Sequence, residues 1–253
     1  MYAEERHQAI IDRARADGRV DVTRLAADLD VTPETVRRDL TQLERRGLLR
    51  RVHGGAIPID RLGFEPGLDA RQGLLSAQKE AIAQAALAEL PDGGSILLDA
   101  GTTTYRLAEI LPADRELNVV THSLPIAMLL AGRPHLTLHL VGGTIRGRTL
   151  AAVGGWAERS LADIRADVAF LGTNGLTVED GLTTPDLAEA VVKRALVAAG
   201  KRVVVLADHT KIGRTDLGRV APITAVDTLV TDADLDPALG EELESAGVAV
   251  VLA

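Results

Sequence analysis

The 253-residue chain contains no cysteine, which removes structural disulfides, thiolate zinc sites and cysteine nucleophiles in one step. Only five residues are aromatic, too few for the stacking platforms that grip single-stranded nucleic acid. No apolar run approaches the roughly 18 residues that span a bilayer. Residues 1–6 are charged and helical in character, unlike a signal peptide. These absences lead to the expectation of a cytoplasmic globular protein without membrane contact.

What is present is an uneven charge. The chain carries −8 overall. Residues 1–57 hold 11 Arg and 10 Asp/Glu, a net of +1, and residues 58–253 hold 17 Lys/Arg and 26 Asp/Glu, a net of −9. Residues 36–53 alone contain six arginines against Asp39 and Glu44. An acidic body repels nucleic acid, so such contact must come from the front end. Every basic residue there is arginine, which suits bidentate contacts to phosphate or guanine.

The front end reads as alternating start and stop signals. Residues 4–17 fit a helix closed by Gly18, residues 19–22 alternate like a short strand, and Thr23 is an expected N-cap for a helix to Leu29. Thr32, Pro33 and Glu34 make a stronger start, as cap, N1 proline and first-turn acid, with Val31 and Val36 spaced as a hydrophobic staple. Val36, Leu40 and Leu43 mark the buried stripe up to Gly47. Two helices across a three-residue turn predict a helix-turn-helix. Residues 48–56 then read as a strand entering a Gly54-Gly55 hairpin turn, the wing of a winged helix. The expected DNA-facing set is Thr32, Pro33, Thr35, Arg37, Arg38 and Gln42, with Thr23 from the preceding helix. Arg50, Arg51 and His53 of the wing are expected at phosphate or the minor groove. Any one arginine pair by itself reads better as a solvated face; the ordered combination favours double-stranded DNA.

Residues 58–75, with Pro58, Gly63, Pro66, Gly67 and Gly73, read as a linker between a DNA-binding domain (3–57) and an α/β domain (76–253). Beyond it, apolar strands at 95–99, 117–121, 136–141, 167–172, 202–208, 227–231 and 248–252 alternate with helices, which implies a mostly parallel sheet covered on both faces. Ligands bind such sheets at the C-terminal strand ends. There stand Asp99 and Gly101-Thr102-Thr103-Thr104, then Thr121-His122-Ser123, Gly142, Gly172 with Asn174 and Gly175, and Asp208 with Lys211. Glycine, threonine hydroxyls and a helix N-terminus suit a phosphate, with Lys211 as its counter-charge and Asp99, Asn174 and Asp208 left for hydroxyls. Each loop alone reads as turn chemistry; five together favour a polar-ligand pocket. His135 and His139 share a strand face without a third ligand, so neither a metal nor a cofactor is expected.

The stretch VTRLAADLDVTPETVRRDLTQLERRGLLRRVHGGA resembles, without a gap, the signature of the DeoR family of bacterial transcriptional regulators. GTTTYRLAEIL, GTNG, GLTTPDLAEAVVKRAL and VVVLADHTK resemble that family's sensor domain, so the likeness covers nearly the whole chain. The resemblance implies a winged helix-turn-helix followed by an α/β sensor for a phosphorylated sugar, a repressor of a sugar-metabolism operon, and no enzymatic activity. Arg71 and Lys79 stand where the family tends to carry basic residues. The sensor in turn resembles ribose-5-phosphate isomerase, whose Asp-Gly-Ala-Asp-Glu motif is replaced here by Gly172-Thr173-Asn174-Gly175-Leu176; GLTTPD stands where its lysine belongs. General acid/base chemistry thus lacks its carriers. An isomerase with a DNA-binding head is the alternative, and a ligand-binding protein whose head contacts protein is a third. The overall sequence looks most like fructose-responsive members, which suggests fructose 1-phosphate and leaves tagatose, galactosamine or glycerol phosphates open; a homo-oligomer (dimer or tetramer) is expected from the need for several reading heads.

Overall fold

The computed structural model describes residues 2–58, 65 and 67–253, and the chain divides into two units, Met1–Leu75 and Ser76–Ala253. In the first unit α1 (Ala3–Asp17) ends at Gly18 in the left-handed conformation. Then follow β1 (Val20–Asp21), α2 (Val22–Asp28), α3 (Pro33–Arg45), β2 (Leu49–Val52), β3 (Gly55–Pro58) and α4 (Leu68–Gln72). Ile10, Ile11 and Ala14 of α1, Leu25 of α2 and Val36, Leu40 and Leu43 of α3 share one core with Val20, Leu49 and Ala56 of the β1-β3-β2 sheet.

Three local expectations change. Asp21, not Thr23, caps α2: its carboxylate accepts from the Thr23 amide at 2.8 Å and the Arg24 amide at 3.2 Å. An acid two residues ahead competes better for those free amides because it is charged. The wing turn is His53-Gly54 rather than Gly-Gly, since Val52 pairs with Gly55. Gly55 is needed for close packing, because a Cβ there would lie 1.8 Å from the Val20 carbonyl oxygen. The expected linker holds α4, and Leu74 packs on the head's core; its Gly63 and Pro66 lie outside the described residues.

The second unit begins with α5 (Ser76–Ala86), β4 (Gly94–Leu98), α6 (Thr102–Glu109), β5 (Leu117–Thr121), α7 (Leu124–Leu130) and β6 (Leu136–Leu140). A hairpin, β7 (Thr144–Arg146) and β8 (Ala151–Val153), precedes α8 (Gly155–Ala162) and β9 (Ala166–Gly172). Next come β10 (Gly175–Thr177), β11 (Gly181–Thr184), α9 (Leu187–Ala199), β12 (Gly200–Leu206), β13 (Gly218–Ala221), β14 (Thr228–Thr231), α10 (Pro237–Ser245) and β15 (Ala249–Leu252). The β7–β8 hairpin, α8 and the small β10-β11-β13 sheet were not foreseen, being too short for a periodic signal.

The main sheet is ordered β15-β14-β12-β9-β4-β5-β6, and every pairing is parallel. Period-two alternation splits its residues between two cores. Leu97, Ala169, Leu171, Val203, Val205 and Leu229 pack with α8, α9 and α10, while Ile96, Leu98, Val119, Phe170, Val204 and Val230 pack with α5, α6 and α7. From β4 the winding runs outward to β6; from β9 it runs the other way to β15. Right-handed crossovers send the helices of the two halves to opposite faces. The direction reverses between β4 and β9, and the crevice outside their C-terminal ends is where this architecture places a ligand.

Candidate functional site

Thr32 opens α3 as expected: its Oγ1 accepts from the Thr35 amide at 3.2 Å, with Pro33 in the first turn. Thr35 is half-buried, while Arg37, Arg38 and Gln42 are exposed. Arg37 is paired with Glu34 at 3.3 Å. Arg51 donates its guanidinium to Thr41 Oγ1 at 3.1 Å and its amide to Glu44 Oε1 at 3.0 Å, tying wing to helix. Arg38, Arg45, Arg46 and Arg50 are exposed, and among the described residues they form no ion pair. Thr23 lies exposed in the first turn of α2. His53 is exposed at the wing tip, where its carbonyl accepts from Arg19 at 3.2 Å.

Asp39 sits on the other side of α3, in the buried stripe with Val36, Leu40 and Leu43. Its carboxylate accepts from Arg6 Nε at 2.5 Å, from Arg6 Nη2 at 3.1 Å and from His7 Nε2 at 3.0 Å. The bidentate pair fixes the rotation of α3 against α1, and the same carboxylate holds the Arg6 guanidinium above its ordinary range. Because Asp39 is spent on Arg6 and His7, it neutralises none of the outward arginines. The exposed face of α3 is more positive than residue counting gives.

In the second unit Asp99, just after β4, reaches Gly172 at the end of β9. Asp99 is fully buried. Its Oδ2 accepts from the Gly172 amide at 2.9 Å and from Lys193 Nζ, which also donates to the Gly172 carbonyl at 2.8 Å. Its Oδ1 lies 2.8 Å from His122 Nε2, and His122 Nδ1 donates to the Ala152 carbonyl at 3.0 Å. Burial alone would raise this carboxyl; the charge of Lys193 and then the His122 hydrogen bond outweigh it and hold the group at about 2. One carboxylate thus joins the ends of β4, β5 and β9 to α9, with β8 reached through His122.

These contacts correct part of the expected ligand set. Asp99, Thr104, Thr121, His122 and Ser123 are sealed and serve the protein itself. Thr104 donates to the Gly101 carbonyl, Thr121 donates to the Leu98 carbonyl at 2.7 Å, and Ser123 caps α7. Both backbone groups of Gly172 are taken by Asp99 and Lys193. Gly175 is buried where a Cβ would lie 2.4 Å from the Arg214 carbonyl oxygen, so its smallness serves packing. Thr102 and Thr103, in contrast, begin α6 with hydroxyls that make no hydrogen bond within the described residues. Gly101 and Asn174 are half-buried in the loops that follow β4 and β9, and Gly142 is exposed after β6. At the end of β12, Asp208 is buried and accepts from Thr210, with Lys211 3.8 Å away. Burial would raise its carboxyl, but Lys211 and the Thr210 bond leave it lowered.

Sequence reading missed Lys193, and with it Arg146 of β7, which is paired with Asp186 at 2.9 Å and Glu189 at 3.2 Å. A signal existed. Glu189 and Lys193 stand four apart on the buried stripe of α9 with Ala190 and Leu196, and charges on a core stripe require partners. His209, Asp232 and Asp234 bring ligand atoms within 4.8 Å of one another. Asp232 is already saturated by the His209 ring and amide and by the Asp234 amide, so the cluster reads as a satisfied turn. Among the described residues no helix is long and apolar enough to cross a membrane.

Two family models match: the DeoR-like helix-turn-helix domain over residues 6–61 and the DeoR C terminal sensor domain over residues 75–233. The HTH-type transcriptional regulator GlpR of Haloferax volcanii is 40% identical over 252 residues, covering 99% of this chain and 98% of that protein. The glycerol-3-phosphate regulon repressor of Escherichia coli K12 is 31% identical over 233 residues, 92% of each. Among solved structures, ribose 5-phosphate isomerase A of Methanocaldococcus jannaschii matches 54% of each chain at 18% identity, with a TM-score of 0.40.

Proposed function

We propose that this chain, which belongs to the DeoR family of transcriptional regulators, is a cytoplasmic repressor of a sugar-metabolism operon. It binds operator DNA through α3 and the wing as a homo-oligomer and is released by a phosphorylated sugar. The observation that carries this reading is the orientation of α3. Its one buried acid is locked to α1 while Arg38 stands outward without an ion pair. In this reading Thr32, Pro33, Thr35, Arg37, Arg38 and Gln42 face the major groove, with Thr23 beside them and Arg50, Arg51 and His53 on the flanking backbone.

The effector occupies the β4–β9 crevice. Its phosphate takes the free amides of Gly101, Thr102 and Thr103, where the α6 dipole favours an anion, and the two threonine hydroxyls add donors. Lys211 supplies the counter-charge to the phosphate and Asn174 reaches the rest of the ligand, while Asp208, buried like Asp99, is spent on Thr210 and Lys211 and holds that lysine in place. Asp99, Lys193 and His122 form the floor and hold the strand ends, and being sealed they offer no acid or base to a substrate. A phosphorylated ligand agrees with the name of the glycerol-3-phosphate regulon repressor; fructose 1-phosphate is the first ester to try.

The test is binding to the DNA upstream of the chain's own gene at fixed salt, titrated with fructose 1-phosphate, other hexose phosphates, glycerol 3-phosphate and the unphosphorylated sugars. The expected result is a complex released by one ester and indifferent to its parent sugar. Specific binding that no ester alters removes the crevice assignment. Absence of specific binding removes the regulator reading.

A further inference from the structure

The two free edges of the seven-stranded sheet differ in charge. The β15 edge is built from residues 223–253, which hold seven acidic residues and no Lys or Arg; Asp234, Asp236, Glu241, Glu242 and Glu244 are exposed. The β6 edge is built from residues 117–145, which hold a single charged residue, Arg133, in a chain where 25% of residues are charged. Within it α7 reads LPIAMLL, without one polar side chain. Ile126, Ala127 and Leu130 face the core, and on the outer side Met128 is 72% exposed. A helix that is apolar all round belongs in a covered position. Leu140 shares a sheet face with Leu136 and Leu138, which pack into the core, yet it is 52% exposed. The outer backbone edge of β6 has no partner strand among the described residues, the kind of edge that proteins leave open only with protection.

We infer that the α7–β6 edge is the surface on which a second copy of this chain docks about a two-fold axis. The inference rests on the regulator reading only for its purpose, which is to place two heads on one operator. The occupant is argued from charge. Residues 58–253 carry −9, so two bodies repel wherever their acidic faces meet. The β15 edge would set five exposed carboxylates against the same five. The α7–β6 edge brings almost no charge to the contact and offers the apolar area that drives association. A partner selected by charge would find only Arg133. In a two-fold contact each Met128 and Leu140 meets the partner's copy of the same surface, so self-complementarity needs nothing beyond apolar side chains.

The experiment is sedimentation velocity on the full chain, with thermal melts to confirm folding, for the unaltered protein, Met128→Glu, Leu140→Arg and, on the opposite edge, Leu252→Arg. All three positions are exposed, and two independent variants guard against a local folding defect. The expected outcome is a dimer or larger assembly for the unaltered chain and for Leu252→Arg. Self-association of Met128→Glu and Leu140→Arg should weaken ~100-fold or more, because a two-fold contact carries each buried charge twice. A monomeric unaltered chain overturns the inference, as does an assembly that survives both substitutions or is dissolved by Leu252→Arg. Operator binding measured on the same samples separates the two readings. An assembly that resists both substitutions yet binds the operator sinks the interface alone. An unaltered assembly that the substitutions dissolve but that itself binds no specific DNA sinks the regulator reading alone.

Discussion

The head and the body use charge in opposite ways. In the head, Arg38, Arg45, Arg46 and Arg50 are exposed without ion pairs among the described residues, and the buried acid of α3 is turned inward to Arg6. In the body, buried charges are spent on partners, Asp99 on Lys193 and Glu189 on the half-buried Arg146. An exposed, unpaired guanidinium is available to a polyanion and costs the fold little. A buried pair does nothing for long-range attraction, but breaking one partner leaves an uncompensated charge in a low-dielectric interior. Charge recruits a ligand in one region and holds shape in the other.

The largest expected effect tests the second half of that contrast. Asp99→Asn strands Lys193 without its counter-charge and should destabilise the body by about 3–5 kcal/mol in denaturant unfolding. Adding Lys193→Met should recover most of that loss; strictly additive losses would mean that the pair does not act as a unit. The pH dependence has a defined sign. The Asp99 carboxyl is held at about 2 against an ordinary 3.8, so its contribution is complete above the ordinary value and disappears as pH falls toward 2. The stability gap between the unaltered chain and Asp99→Asn should therefore narrow across that interval, and a gap constant with pH would contradict the assignment.

Smaller effects sharpen the other half. Arg38→Ala should weaken operator binding by about 1–3 kcal/mol and relax base preference at one position. Arg50→Ala should weaken all sequences alike and reduce the salt slope by about 1. Identical behaviour of the two variants would show that α3 and the wing do not divide base reading from backbone contact. Smallest is Thr32→Ala, which loses the α3 cap and about 1 kcal/mol of head stability by thermal melt.

The head was more legible than the body, and the reason is locality. Thr32, Pro33 and the Val36–Leu40–Leu43 stripe act within one or two turns, so spacing alone places them. The correction at Thr23 is of the same kind, a choice between two nearby cap residues that differ in charge. In the body, strand positions were readable from apolar runs, but the roles of the polar residues after them were not. Thr121 and Asn174 look alike in sequence as strand-end polar residues. One donates to a neighbouring strand and is sealed, and the other is half-buried in the loop after β9, where it accepts from Thr184. Only contacts across many residues separate them: Asp99 meets His122, Gly172 and Lys193 from three other elements.

By itself the sequence determined the helix-turn-helix and the Thr32 cap of α3, the segregation of positive charge to the front and the alternating α/β pattern. Those properties depend on short-range spacing and summed charge, which a linear chain carries explicitly. The tertiary structure decided the reversal of winding between β4 and β9, the inward turn of Asp39, the sealing of Asp99 by Lys193 and the exposure of α7 at an uncharged edge. Each of these arises when residues distant in sequence compete for one buried partner or one face of a sheet, and that competition is resolved only once the chain is packed.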